Sequence, residues 1–300
     1  MTEHRGRKHD YLGMNMISHK DGILEIEMKD YLKGMIDTFP IKFHGDKITT
    51  PAADNLFAAG KGNKLGKEKA EMFHKMVAKA LFVSARARVD LQPTVAVLST
   101  RTKEPTNDDW LKLIKFMKYL TATKELTRRI DTNGDLPSLS ILKWMIDASF
   151  AVHPDMRSHT GGVGFIGDNN RGAIQTLSRK QKLNTKSSTE AELVGVDDMS
   201  VMVLWTQLFL EEQGWAITKN IIYQDNKSAI LLETNGKKSS GKRTRAINIR
   251  YYFITDHVVK GTVSIEYCPT DLMIGDYMTK PNQGRKFITF RKNIMNHKGH

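Results

Sequence analysis

The alternation of apolar and polar positions divides the chain into two stretches of different character. In the first, Tyr11 to Ile17 and Ile23 to Met28 alternate as short strands on either side of a Lys20-Asp-Gly22 turn, and Lys29 to Phe39 follow at helical spacing. From Pro40 to Lys69 the periodicity fades among prolines, glycines and lysines, which predicts a long surface connection. Two further helical patterns run from Glu71 to Arg88 and from Asn107 to Leu126. The second repeats Trp110, Leu111, Leu113, Ile114, Phe116, Met117 and Leu120, a stripe that reads as core. Arg129 to Pro137, holding Asp131, Asn133, Gly134 and Asp135, interrupts every period and marks a domain boundary.

Beyond it the pattern predicts strands at Lys143 to Val152, Gly162 to Gly167 and Ala173 to Leu177, then a long helix from Thr189 to Glu212. A strand at Asn220 to Gln224, a short helix at Lys227 to Glu233, a helix at Asn248 to Val259 and a strand at Thr262 to Tyr267 follow, with helical pieces at Asp271 to Met278 and Arg285 to Asn296. Three strands followed by alternating helices and strands describe a mixed sheet with helices on its faces. Gly162, Gly164 and Gly167 match the G-x-G-x-x-G spacing of dinucleotide sites. The next residues, Asp168-Asn-Asn-Arg-Gly172, form a turn toward another strand, so a hairpin is the better reading.

Length fits two domains, expected over residues 1–136 and 140–300. Charge adds a partner. The net charge is +13, with 24 basic against 18 acidic residues up to residue 140 and 22 against 15 after it, so both halves favour a polyanion such as nucleic acid over a membrane. No run approaches the roughly 20 apolar residues of a membrane span, and the first thirty residues do not resemble a signal peptide. One cysteine, Cys268, excludes an internal disulfide and a thiolate zinc cluster, and reads as a small strand residue.

Candidate chemistry lies in four carboxylates. Asp147 sits in Trp144-Met-Ile-Asp-Ala-Ser-Phe150, an apolar strand in which an acid needs compensation. Glu192 lies just inside the long helix after a Ser187-Ser-Thr-Glu190 capping pattern, where a charge near the N-terminus is the plainer reading. Asp225 ends a strand and could equally be an N-cap, and Asp276 alone would be a solvated surface acid. Their placement on first strand, first long helix, fourth strand end and late helix lets all four converge at one sheet edge. Such a cluster repels itself unless divalent cations neutralise it, and its hard oxygen donors select Mg2+ or Mn2+. Two ions about 4 Å apart in a carboxylate cage suit in-line phosphodiester hydrolysis. Asp147 is the candidate to bridge both ions, with Glu192 and Asp225 completing one shell and Asp276 the other.

Asp147-Ala-Ser-Phe-Ala, Lys186-Ser-Ser-Thr-Glu-Ala-Glu192, Gln224-Asp-Asn-Lys-Ser-Ala-Ile230, and Tyr267-Cys-Pro-Thr through Asp276-Tyr-Met-Thr-Lys-Pro281, in this order, resemble the RNase H region of copia-type LTR-retrotransposon Pol polyproteins. His9-Asp-Tyr-Leu-Gly13, Ile26-Glu-Met28 and Tyr31 resemble the part of that reverse transcriptase just downstream of its catalytic Asp-Asp motif. The resemblance implies an α/β (mixed) fold, an RNase H-like five-stranded mixed sheet flanked by helices, preceded by a smaller α+β thumb and connection region. It also implies a ribonuclease H with metal-binding, catalytic acids at Asp147, Glu192, Asp225 and Asp276, two Mg2+ or Mn2+ ions and no small-molecule cofactor. Its partners would be an RNA·DNA hybrid and the remainder of a reverse transcriptase polyprotein, not a membrane, in cytoplasmic virus-like particles or the nucleus. Glu190 competes with Glu192, which is preferred because the family's Glu-Ala-Glu motif aligns its second acid with the helical glutamate of other ribonucleases H.

Departures from the family pattern bear on activity. The 300 residues contain no Tyr-x-Asp-Asp motif, so no DNA polymerisation is expected of them. Ala246 stands where the family generally carries His, and no His lies between Cys268 and Asp276. Between Glu233 and Asp256 there is no acid, while Lys237, Lys238, Lys242, Arg243, Arg245 and Arg250 are basic, a stretch read as contacting hybrid phosphates. A solvated charged face is its plainer reading. Two other functions stay in view: a decayed remnant that binds nucleic acid without cutting it, and an integrase or transposase nuclease, whose acid order this chain lacks.

Overall fold

The structure is a computed structural model and describes residues 6–44, 48–236 and 248–297. Two compact units divide the chain: Met1–Asn133 with Asn170–Gly172 and Pro281–His300, and Gly134–Asn169 with Ala173–Lys280.

The first unit opens on β1 (Lys8–Tyr11), β2 (Met14–Ser18) and β3 (Ile23–Glu27), an antiparallel meander. The single expected strand from Tyr11 is two, because Leu12 and Gly13 turn the chain at positive φ. The helix α1 (Lys29–Thr38) follows, then α2 (Lys67–Ser84), a 3-10 turn at Val89–Leu91, α3 (Gln92–Ser99) and α4 (Asn107–Ala122). Thr106 and Asp109 close a capping box that starts α4. The connection before α2 is irregular, as expected, yet it buries Thr50, Ala52 and Leu56 and so is more than surface.

The edge strand β4 (Arg128–Asp131) completes the sheet against β3, within a stretch that sequence patterning assigns to irregular chain. Its alternation is carried by charged side chains: Arg128 is buried and donates to the Arg86 carbonyl at 3.0 Å. In the same unit Arg88 donates twice to Asp90, at 2.9 and 2.8 Å, and Tyr119 donates to the same carboxylate at 2.9 Å.

The second unit begins with the single turn α5 (Leu136–Leu139). Its five strands are β5 (Ile141–Ser149), β6 (His159–Ile166), β7 (Gln175–Lys180), β8 (Lys219–Gln224) and β9 (Ser264–Tyr267), in the order β7-β6-β5-β8-β9. The pairs β5/β6 and β6/β7 are antiparallel, while β5/β8 and β8/β9 are parallel. This is the mixed sheet that the order of elements predicts. The helices are α6 (Ser188–Glu212), α7 (Lys227–Asn235), α8 (Asn248–Val259) and α9 (Asp276–Thr279). The last helix, α10 (Gly284–Met295), was expected in the second domain but packs within the first unit, where Arg291 donates to the Tyr119 hydroxyl at 3.0 Å. A basic helix next to the buried Asp90 carboxylate has a reason to sit there.

Leu142, Trp144 and Ile146 of β5 pack against Val196, Met199 and Val203 of α6, with Ile222, Ile254 and Val263 completing the core. The first two glycines of the G-x-G-x-x-G spacing, Gly162 and Gly164, serve this packing. A Cβ at Gly164 would lie 2.4 Å from the Trp144 ring, and one at Gly162 would lie 2.7 Å from Met199 Cε. α6 corrects one expectation, since by length and composition alone it is apolar enough to cross a membrane. Its inner face is that core, while Val201, Trp205, Leu208 and Phe209 are exposed.

Candidate metal centre

The carboxylates gather where two parallel strands end. Asp147 lies near the C-terminal end of β5, buried, with Gly161 of β6 as its cross-strand neighbour. Asp225 follows the last residue of β8, half-buried, and its Oδ2 accepts from Thr270 Oγ1 at 2.9 Å. The α7 cap falls to Asn226, whose Oδ1 accepts from Ser228 and Ala229 N–H, so Asp225 is free of the capping role that sequence alone allowed it. Glu192 projects from the first turns of α6 and is buried. One oxygen from each of Asp147, Glu192 and Asp225 lies within 4.8 Å of the other two.

Glu190 lies outside that trio. Its Oε2 accepts from the Lys186 N–H at 2.6 Å and its own N–H donates to Ser187 Oγ at 3.2 Å, so it closes the helix cap. Asp276 opens α9 and is almost fully buried, not the surface acid its local sequence suggests. Lys280 Nζ donates to Asp276 Oδ1 and lies 3.7 Å from Asp147 Oδ2. Thr279 Oγ1 donates to the same Asp147 oxygen.

Three of these partners, Lys280, Thr279 and Gln224, are beyond what sequence reasoning singled out, although each lies in a stretch that carries the family resemblance. Gln224 is fully buried. Its Nε2 donates to Glu192 Oε2 at 3.3 Å and its Oε1 accepts from the Asp225 N–H at 3.1 Å, so one amide holds α6 to the end of β8.

Electrostatics mark the cluster as short of positive charge. Burial pushes the Asp147 carboxyl up to about 6 against the pull of Lys280, and Asp276 and Asp225 push the same way. Burial, then the charges of Asp147 and Asp225, raises Glu192 well above the usual carboxylate range. Carboxylates converging through oxygen atoms alone, two of them buried and Asp225 half-buried, fit a hard divalent cation, which would supply the missing charge. Of the basic stretch, Lys237, Lys238, Lys242, Arg243 and Arg245 lie outside the described residues, as does Ala246; Arg250 falls on α8 with its side chain undescribed.

The sheet order, with carboxylates at the ends of β5 and β8, gives the second unit an RNase H-like mixed α/β fold. Homologues of the chain include copia-type Pol polyproteins of plant transposons. It is 26% identical over 292 residues to the retrovirus-related Pol polyprotein from transposon TNT 1-94 of Nicotiana tabacum, covering 94% of this chain and 21% of that polyprotein. With the polyprotein from transposon RE2 of Arabidopsis thaliana the identity is 30% over 213 residues, 70% of this chain and 14% of the relative. The chain thus spans about a fifth or less of the length of these relatives. No protein-family model matches it. Among solved structures, an RNase H1 isolated from compost aligns with 44% of this chain and 86% of its own at 10% identity and a TM-score of 0.33. The foamy viral protease-reverse transcriptase in complex with an RNA/DNA hybrid aligns with 88% of this chain and 29% of its own at 11% identity and a TM-score of 0.41.

Proposed function

We propose that the chain is a ribonuclease H-type endonuclease that hydrolyses the RNA strand of RNA·DNA hybrids with two divalent ions, as the C-terminal part of a copia-type reverse transcriptase. The observation that carries this reading is the convergence of Asp147, Glu192 and Asp225, with Asp276 tied to Asp147 through Lys280. Asp147, Glu192 and Asp225 would hold one ion, and Asp147 with Asp276 the other. Mg2+ or Mn2+ there would make water a nucleophile at neutral pH and stabilise the charge on the scissile phosphate and departing 3′ oxygen. The chain's own groups then position. Gln224 aims Glu192, Thr279 orients Asp147, and Asn226 leaves Asp225 to the site by taking over the cap.

A hybrid would be held by shape, by ribose 2′-OH contacts and by phosphate contacts from Lys237, Lys238, Lys242, Arg243, Arg245 and Arg250. The first unit would serve as the thumb and connection of the polymerase, gripping template and primer within a larger polyprotein in cytoplasmic particles. Ala246 favours one second reading, a remnant that binds hybrids without cutting them. Cleavage of a labelled RNA·DNA hybrid with Mg2+ or Mn2+, beside Asp147→Asn and a duplex-DNA control, separates the two. Metal-dependent RNA cutting lost in the variant is the expected result; binding without cutting under either metal leaves the remnant.

A further inference from the structure

We propose that Lys280 is a resident cation on the Asp147–Asp276 side of the cage, so that the free chain takes one divalent ion readily and a second only in competition with its own ammonium group. The inference rests on the reading of the cage as a divalent-ion centre and concerns how its two positions load. The cluster is asymmetric. Asp147, Glu192 and Asp225 bring their oxygens within 4.8 Å of one another, and among the described residues neither Glu192 nor Asp225 forms an ion pair, whereas Asp276 accepts from Lys280 Nζ. That nitrogen is also 3.7 Å from Asp147 Oδ2, which places it between the two carboxylates that a second ion would share.

The position is fixed by backbone as well as by charge. Lys280 is one turn beyond Asp276 and its N–H donates to the Asp276 carbonyl at 3.0 Å, which turns both side chains to one side of α9. Thr279, the preceding residue, has its hydroxyl on Asp147, and its carbonyl accepts from Ser149 Oγ at 3.2 Å, so the end of α9 is tied to β5 on both sides of the peptide. The Lys280 side chain is nevertheless partly exposed, with 42% of its surface open, and has room to leave. An ammonium group contacts carboxylate oxygens at hydrogen-bond distance and brings one charge, where Mg2+ would stand closer and bring two. The two cannot share the position, because like charges a few Å apart repel strongly in a buried site.

The test is calorimetric titration of the full chain, without nucleic acid, with MnCl2 and with MgCl2. One ion is expected for the unaltered chain and for Lys280→Arg. Lys280→Met is expected to take two, or to bind the second at least about tenfold more tightly, because a competing charge is gone. Asp276→Asn, which removes the principal partner of Lys280 and leaves the three-acid position intact, should still take one ion. Two ions of similar affinity in the unaltered chain would overturn the proposal, as would a count of one unchanged in a folded Lys280→Met. If Lys280→Met fails to fold, a Lys280→Arg or Asp276→Asn chain that takes two ions or none overturns it instead. Absence of any ion in every variant, the unaltered chain included, would remove the divalent-ion reading itself, which is a different failure.

Discussion

Glu190 and Glu192 are two residues apart and do different work. Glu190 completes the α6 cap through Lys186 N–H, while Glu192 faces Asp147 and Asp225 and is held by Gln224. Glu190→Gln should therefore cost about 1 kcal/mol of stability and keep both the thermal stabilisation by Mg2+ and the cleavage. Glu192→Gln should lose both; unfolding curves with and without Mg2+ decide, and equal effects from the two variants would undo the assignment. Glu233 is a second buried acid with a different fate. It is fully enclosed on α7, and among the described residues neither of its oxygens has a hydrogen-bond partner, so burial pushes its carboxyl up to about 8 from an ordinary 4.5. Below the ordinary value both folded and unfolded chains hold the proton and the site is at no disadvantage. Between about 4.5 and 8 the unfolded chain releases it and the folded chain keeps it, so this group withdraws stability as pH rises. Glu233→Gln should match the unaltered chain in melting temperature near pH 4 and exceed it by several degrees at pH 8. A difference that stays constant across that range would show that Glu233 is ionised and paired.

At the scale of elements, the cage depends on how closely α9 can lie against β5 and β6. A Cβ at Gly161 would lie 2.5 Å from Thr279 Cγ2 and 2.9 Å from the Met278 carbonyl carbon, and one at Gly275 would lie 2.9 Å from the Met145 carbonyl oxygen. Backbone atoms cannot yield as a side chain can, so Gly161→Ala and Gly275→Ala should lift α9 and carry Asp276, Thr279 and Lys280 away from Asp147. The expected cost is about 1–3 kcal/mol of stability together with a loss of ion binding and cleavage. Gly162→Ala is the control, since its Cβ would press on the Met199 side chain of the core, and it should lose stability without a selective loss of ion binding. Such close approaches also explain which parts of the molecule are legible in its sequence. The strands and helices of the second unit follow from periodicity because their buried faces are apolar, and Asp147 stands out as a charge within an apolar strand. Asp276 does not, because its burial depends on a glycine more than a hundred residues away. β4 is hidden by the arginines it carries, and α3 by a β-branched, proline-containing run without a polar face. Lys280 lies within a motif that carries the family resemblance, yet a lysine beside acids has no local mark to distinguish an occupant of the site from a surface ion pair.

For the whole molecule the governing quantity is charge. A net +13 shared between both halves would give the chain affinity for any polyanion, so binding alone cannot report on the carboxylate site. What distinguishes phosphate contacts from a diffuse field is the salt dependence. Each phosphate neutralised steepens the fall of log affinity with log salt by about 0.7 to 0.9. Replacing Lys237, Lys238, Lys242, Arg243 and Arg245 together by serine should weaken hybrid binding and reduce that slope by about 3 to 4 if most of them meet phosphates. Divalent-ion binding measured without nucleic acid should not change, because Asp147, Glu192, Asp225 and Asp276 are untouched by these substitutions. Fluorescence anisotropy of a labelled hybrid across a NaCl series gives the slope directly. A uniform loss of affinity with the slope unaltered would place these residues on a solvated face whose charge acts only at long range, and phosphate recognition would then have to come from the other basic residues of the chain.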